Sequence, residues 1–235
     1  AYEMSASRVG SEMCIRDSNV TIPYKKAVIP YCAALSPIAQ KLGSVNVLVR
    51  RPDGTLYGDN ADAFGFEYLV RHSGVDIAGK KALVLGNGGA SATIQAVLAQ
   101  LGARVTVISR SGEDNYTNLG RHADAQVIVN ATPVGMYPHT GRAAVDLRQF
   151  PQCALVLDVV YNPARTALLL QAEKLNIPHA GGLSMLVAQA KRSSEQFTGT
   201  AIGDEALARV ERAVNQRLRN ITVSYTHLRA HETSA

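Results

Sequence analysis

Cysteine is scarce in this chain: Cys14, Cys32 and Cys153 are the three in 235 residues. They are odd in number, widely spaced and form no C-x-x-C, which argues against a disulfide framework or a zinc knuckle and makes a reducing cytoplasm the default compartment. Long apolar runs are missing too. The longest, such as 154–160, which Asp158 interrupts, are strand-sized; a membrane helix needs roughly 20 residues, so no membrane span is expected. The six histidines show no H-E-x-x-H, and the one H-x-x-x-H, His227 and His231, falls within the patternless last residues 223–235, so no metal site is implied. Charged residues make up 18% against 46% hydrophobic, the balance of an ordinary globular protein. Although the net charge is +5, lysine and arginine are dispersed and never interleave with aromatics as a nucleic-acid groove requires. No nucleic acid is therefore expected as a partner.

The two ends lack any pattern. Residues 1–18 have no period and no apolar signal-peptide core, and residues 223–235 are polar and equally patternless. Both resemble translated sequencing-adapter read-through, so the genuine protein is expected to span 19–222, cut at both ends.

What the chain does have is a glycine turn, Gly86-Asn87-Gly88-Gly89-Ala90-Ser91, directly after the apolar run 82–85 and directly before an alanine-rich stretch. A strand, a turn without bulky side chains and a helix start let backbone N–H groups approach a pyrophosphate, whose charge the helix N-terminus stabilises. The pattern reads G-x-G-x-x-S, with small Ser91 where the third glycine usually stands. Alone it is as consistent with a tight connection as with a dinucleotide site.

Its surroundings favour the dinucleotide. Expected segments from residue 82 onward are strand 82–85, helix 91–101 ended by Gly102, strands 104–108, 126–130 and 155–159, and helix 166–175. Strands apolar on both faces and separated by crossovers imply a parallel sheet covered on both sides, a Rossmann-like half. Before Gly79 the reading changes to a helix at 37–42, strand 44–49, a Pro52-Asp53-Gly54 hairpin turn and helix 62–73, a smaller α/β lobe. Helices 184–197 and 204–218 have no strand to return to and are expected to bridge the lobes beside a ligand cleft. The expected fold is therefore α/β, with segments 1–18 (foreign tail), 19–78 (a truncated substrate-binding lobe), 79–182 (the dinucleotide-binding domain), 183–218 (bridging helices) and 219–235 (mostly foreign).

Asn19-Val20-Thr21-Ile22-Pro23-Tyr24-Lys25 and Gly58-Asp59-Asn60-Ala61-Asp62-Ala63-Phe64-Gly65, together with the glycine turn, closely resemble the shikimate dehydrogenase family. Further matches follow in order: Gly43-Ser44-Val45-Asn46, Asn130-Ala131-Thr132-Pro133-Val134-Gly135-Met136, Asp158-Val159-Val160-Tyr161-Asn162-Pro163, and Gly182-Leu183-Ser184-Met185-Leu186 ending at Gln189. The likeness extends over essentially 19–201.

The resemblance implies NADPH-dependent reduction of 3-dehydroshikimate to shikimate, in chorismate and aromatic amino-acid biosynthesis, by a monomer or homodimer. It assigns proton transfer to Lys25 and Asp62. Hydride addition to a ketone leaves charge on oxygen, which a nearby cation or proton donor must meet. An ionised Asp62, favoured in the first turn of its helix, would hold the Lys25 ammonium towards that oxygen. Read singly, Lys25 is an ordinary surface charge and Asp62 a first-turn acid.

By the same matching, Thr21, Asn46, Tyr161 and Gln189 would hydrogen-bond the substrate ring, each with a bland reading as turn, packing or surface residue. Gly86, Asn87, Gly88, Gly89 and Ala90 would cradle the cofactor, with Val159 and Gly182 on the nicotinamide side. Ser109-Arg110-Ser111 follows the second strand, where an arginine accommodates a 2′-phosphate and an acid would bind a free ribose hydroxyl. That favours NADP, while Glu113 and Asp114 stand where the family has a second basic residue, weakening the preference. Val47 and Ala61 each replace a threonine of the family pattern. Its N-terminal Ser-x-Ser motif has no counterpart in 1–18, Ser5-Ala6-Ser7 being read as coincidence.

Two alternatives stand beside this reading. An NAD-using quinate/shikimate dehydrogenase is opposed by Arg110, and a non-catalytic dinucleotide-binding module by retention of Lys25 and Asp62. Arg219-Asn220-Ile221-Thr222 reads either as the family's tail or as the start of a fused pathway domain.

Overall fold

The computed structural model describes residues 16–232, with side chains through residue 218. Residues 1–15, which contain Ser5-Ala6-Ser7, and 233–235 lie outside the described residues. Among the described residues the strands form two sheets.

The smaller sheet has the order β1-β3-β4-β2, built from β1 (Asp17–Asn19), β2 (Ala34–Leu35), β3 (Val47–Arg50) and β4 (Leu56–Asp59). Helix α1 (Pro37–Leu42) starts where the Ser36 hydroxyl accepts from Ala39 N at 3.1 Å and stops at left-handed Gly43. The expected hairpin is present: β3 and β4 pair antiparallel from Arg50 opposite Leu56 to Val47 opposite Asp59. Asp53 Oδ1 accepts from Thr55 N at 2.9 Å, and Gly54 takes φ +83°. Strand β1 reaches back to Asp17 and Ser18, inside the segment read as patternless, by pairing with Val49 and Leu48. Backbone pairing of this kind leaves no mark on side-chain periodicity.

The larger sheet is parallel throughout, in the order β6-β5-β7-β8-β9. Its strands are β5 (Lys81–Leu85), β6 (Arg104–Ile108), β7 (Val127–Asn130), β8 (Leu155–Asp158) and β9 (His179–Gly181). All residues of β7 and β8 are buried, as expected of strands covered on both faces. One face packs on α2 (Ala61–His72) and α3 (Ser91–Gln100) through Phe66, Leu69, Ile94 and Leu98. The other packs on α4 (Ala167–Lys174) and Phe150. Helix α2, assigned by sequence to the small lobe, thus shares its core with the large sheet.

Other differences have local causes. Between β6 and β7, and between β7 and β8, short 3-10 turns at Leu119–His122 and Leu147–Gln149 replace full crossover helices, since those connections are dense in Gly, Pro, Ser and Asn. Strand β9 is three residues long, too short to leave a pattern. Helix α5 (Gly182–Thr198) begins two residues before the expected 184, and α6 (Asp204–Glu232) continues well beyond 218. The segment 204–232 holds no glycine or proline to stop it.

Helix α5 joins the lobes. It lies along α2, and at its far end Arg192 Nη2 and Gln196 Nε2 donate to Asp59 Oδ2 at 3.1 and 2.7 Å. Helix α6 covers α5 through Leu183, Val187 and Leu207, tied by Ser184 Oγ donating to Glu211 Oε1 at 2.5 Å.

Candidate active site

The glycine turn links β5 to α3 as its sequence implies. Gly86 has φ +98°, and a Cβ there would meet Thr132 Cγ2 at 2.7 Å. Gly88 faces open space. Ser91, in place of the third glycine, is buried and donates its hydroxyl to Gly86 O at 2.7 Å, so the serine ties the turn together. No side chain caps α3, which leaves its first N–H groups for an anion. The chain's own residues therefore fit a dinucleotide pyrophosphate: a turn closed to a side chain at Gly86 and open at Gly88, beside an uncapped helix start.

A cavity of about 780 Å³ extends from Gly86, Asn87 and Gly88 to Ser109, Arg110 and Tyr116. Arg110 is exposed and Ser109 buried. Burial raises the Tyr116 hydroxyl pKa, and the charge of Arg110 lowers it, so the two are neighbours. Ser111 is exposed and does not line this cavity.

The second cavity, of about 540 Å³, lies between the lobes and brings together Lys25, Asp62, Tyr161 and Gln189 with Gly89 and Ala90 of the turn. Val159 and Gly182 line it as well. Lys25 Nζ donates to Asp62 Oδ2 at 2.6 Å, with 24% and 17% of the two side chains exposed. Thus an ammonium and a carboxylate from the small lobe meet at the mouth of the dinucleotide turn. Ile22 crosses the gap: a Cβ added to Gly89 would come 3.1 Å from Ile22 Cδ1.

Several motifs interlock to create this geometry. Val45 N donates to Lys25 O at 2.8 Å, Val20 N to Asn46 O at 2.9 Å, and Asn46 N to Asp59 O at 3.0 Å. Asn60 caps α2, with Oδ1 accepting from Ala63 N, while its Nδ2 donates to Ser44 O at 3.0 Å. Asn46 Oδ1 accepts from Ala61 N at 2.7 Å. The start of α2, and with it Asp62, is set by two residues of another motif, Ser44 and Asn46. Gly65 lets α5 come close: a Cβ there would meet Gln189 Cγ and Met185 O, both at 2.6 Å. Gly182 is tighter still, its missing Cβ lying 2.1 Å from Val159 O.

Not every sequence-assigned residue reaches the cleft. Thr21 is exposed and contributes its carbonyl to Tyr24 N; neither it nor buried Asn46 lines the cavity. Val47 and Ala61 are buried inside the small lobe. Sequence reasoning gave no role to Ser44, Met185 and Leu186, which line the cleft and stand in quoted motifs. It had no signal for Tyr116 or Arg142 in the other cavity, because both sit in irregular connections.

Buried Asp158, at the end of β8, organises the strand ends. Its Oδ1 accepts from Asn130 Nδ2 at 2.9 Å and Val160 N at 3.0 Å, and its Oδ2 from Thr166 Oγ1 at 2.6 Å. Burial pushes its pKa up to about 6, against the lowering effect of these donors.

Residues 7–48 match the family model for the shikimate dehydrogenase substrate binding domain. A curated "Shikimate dehydrogenase (NADP(+))" from Dehalococcoides mccartyi is 38% identical over 206 residues, covering 78% of this chain and 72% of that protein. The crystal structure of a chorismate mutase/shikimate 5-dehydrogenase fusion protein from Clostridium acetobutylicum has a TM-score of 0.81 at 30% identity, covering 86% of this chain and 78% of that one. Shikimate 5-dehydrogenase from Thermus thermophilus, solved in complex with NADP(H) and shikimate, has a TM-score of 0.74 at 29% identity, covering 86% of this chain and 80% of that one.

Proposed function

The chain belongs to the shikimate dehydrogenase family, and from that premise we propose that it reduces 3-dehydroshikimate to shikimate with NADPH, a step towards chorismate and the aromatic amino acids. The observation that carries the reading is the Lys25–Asp62 pair facing the glycine turn in one interdomain cleft.

When bound, the nicotinamide supplies the hydride. The remaining work falls to the side chains. As the carbonyl oxygen gains charge, the Lys25 ammonium donates a proton to it, completing the alcohol. Asp62, 2.6 Å away, holds the ammonium in place and receives a hydrogen bond throughout. Tyr161 and Gln189, which line the cleft, supply a hydroxyl and an amide for the substrate, with Asn46 and Thr21 assigned to the ring by motif match. The turn and α3 hold the pyrophosphate, and Arg110 favours the 2′-phosphate. Free thiols at Cys32 and Cys153 support a cytoplasmic location; a monomer or homodimer belongs to the same proposal.

The test is Lys25→Met, assayed by loss of nicotinamide absorbance with 3-dehydroshikimate, alongside NADPH binding. Removal of a general acid lowers kcat by about 10²- to 10⁴-fold, with NADPH affinity retained. A variant turning over at the parental rate would sink the proposal.

A further inference from the structure

We propose that Arg142, on the connection between β7 and β8, is a second cation for the 2′-phosphate of NADP, acting with Arg110 to set cofactor specificity. The proposal rests on the NADP reading above.

The charged side chains lining the dinucleotide cavity are Arg110 and Arg142, and among the described residues no carboxylate lines it. Neither of the two acids that weakened the sequence argument lines the cavity. Asp114 Oδ1 contacts His122 Nε2 at 2.8 Å. Glu113 accepts from Asn118 Nδ2 at its carbonyl, at 2.8 Å, and is absent from the lining. Neither guanidinium has an ion-pair partner among the described residues, whereas nearby Arg148 pairs with Asp146. Two unneutralised guanidinium groups sharing a cavity with the hydroxyl of Ser109 suit a phosphate monoester.

Arg142 lines that cavity together with Arg110 and Tyr116. Tyr116, a neighbour of Arg110, packs on the same core as Ala143, the residue after Arg142. The backbone there is anchored. Gly135 has φ +89° and is buried, and a Cβ on it would strike Arg142 O at 2.9 Å. Tyr137 N donates to Asn162 O at 2.9 Å before the loop, and Gln171 Nε2 to Val145 O at 3.3 Å after it. A long side chain on a backbone fixed at both sides has a defined reach. The sequence lost a cation on the β6 side; the β7 side supplies one.

The experiment is isothermal titration of adenosine 2′,5′-bisphosphate and of 5′-AMP into the parent protein, Arg142→Ala, Arg142→Lys and Arg110→Ala. Arg142→Ala is expected to weaken bisphosphate binding by about 10- to 100-fold, the loss of a charge-assisted hydrogen bond, with 5′-AMP affinity within about twofold. Arg142→Lys is expected to recover part of the loss, since charge is kept and the fork geometry is not. Equal weakening of both ligands, which would mean contact with adenine or the 5′-phosphate, overturns the proposal. So does an Arg142→Ala protein that binds both like the parent. A parent protein that fails to prefer the bisphosphate overturns the NADP reading itself, and Arg110→Ala separates the two: it loses the preference if that reading stands, whatever Arg142 does.

Discussion

Arg192, on the helix that joins the lobes, holds the buried carboxylate of Asp59 at 3.1 Å across 133 positions of sequence. Asp59 directly precedes the Asn60 cap of α2, and α5 carries Gln189 into the cleft. This ion pair therefore ties the start of α2, the helix bearing Asp62, to the helix bearing Gln189, alongside the close packing at Gly65.

Arg192→Ala leaves Asp59 with Gln196 Nε2 and the Asn60 amide but without its cation. An uncompensated buried charge costs about 2 kcal/mol. The urea midpoint is expected to fall accordingly, and KM for 3-dehydroshikimate to rise more than kcat falls, because positioning is lost while the Lys25–Asp62 pair stays. Steady-state kinetics beside urea melts check both. An unchanged midpoint would mean that packing of α5 on α2 suffices alone.

The glycines of the turn separate folding from binding. In Gly86→Ala the new methyl meets Thr132, whose Oγ1 is already committed to Asn130 Oδ1 at 2.6 Å, and φ +98° is strained for alanine. Both stability and NADPH affinity are expected to drop. Gly88→Ala projects into open space, so thermal stability should stay within about 0.5 kcal/mol while the methyl obstructs the pyrophosphate and affinity falls. Melting curves and NADPH fluorescence titrations on the two variants distinguish the effects.

Asp158 gives a pH dependence of defined sign. Its pKa is about 6 in the folded chain and about 3.9 in an unfolded one, so the folded state binds the proton more tightly. Its contribution to stability is present in full below about pH 4 and is lost as pH rises through about 6. Asp158→Asn removes this titration. The amide can keep Oδ1 for Val160 and Asn130 and turn Nδ2 to Thr166 Oγ1. Relative to the parent, the variant is expected to gain on the order of 2 kcal/mol between pH 4 and pH 7. Parallel stability curves at the two pH values measure that difference; a constant offset would show that Asp158 does not titrate there.

Most of the parallel sheet was legible because its strands are buried on both faces and announce themselves as continuous apolar runs. Strand β6 occupies the expected 104–108, and β7 and β8 differ from the expected spans by one residue. Short strands were not legible. β2 and β9 have two and three residues and exist through pairing to a neighbour, which no local period encodes. Helix α6 was expected to stop at 218 because the residues beyond look unpatterned, yet without a breaker the backbone continues to Glu232. In the candidate site, Lys25, Asp62, Tyr161 and Gln189, singled out by the motif match, line one cleft. Asn46 instead spends its side-chain oxygen on the start of α2.

Local sequence by itself determined the turn at 86–91, the caps at Ser36, Asn60 and Thr166 and the alternation of strands and helices, since each depends on neighbours within a few residues. Tertiary structure decided which distant groups meet: Lys25 with Asp62, Asp59 with Arg192, Arg142 with the cavity of Arg110. Those meetings depend on how closely helices and sheet approach, and that is set by contacts such as Gly65 under Gln189 and Gly182 against Val159, where atoms far apart in the chain compete for the same space.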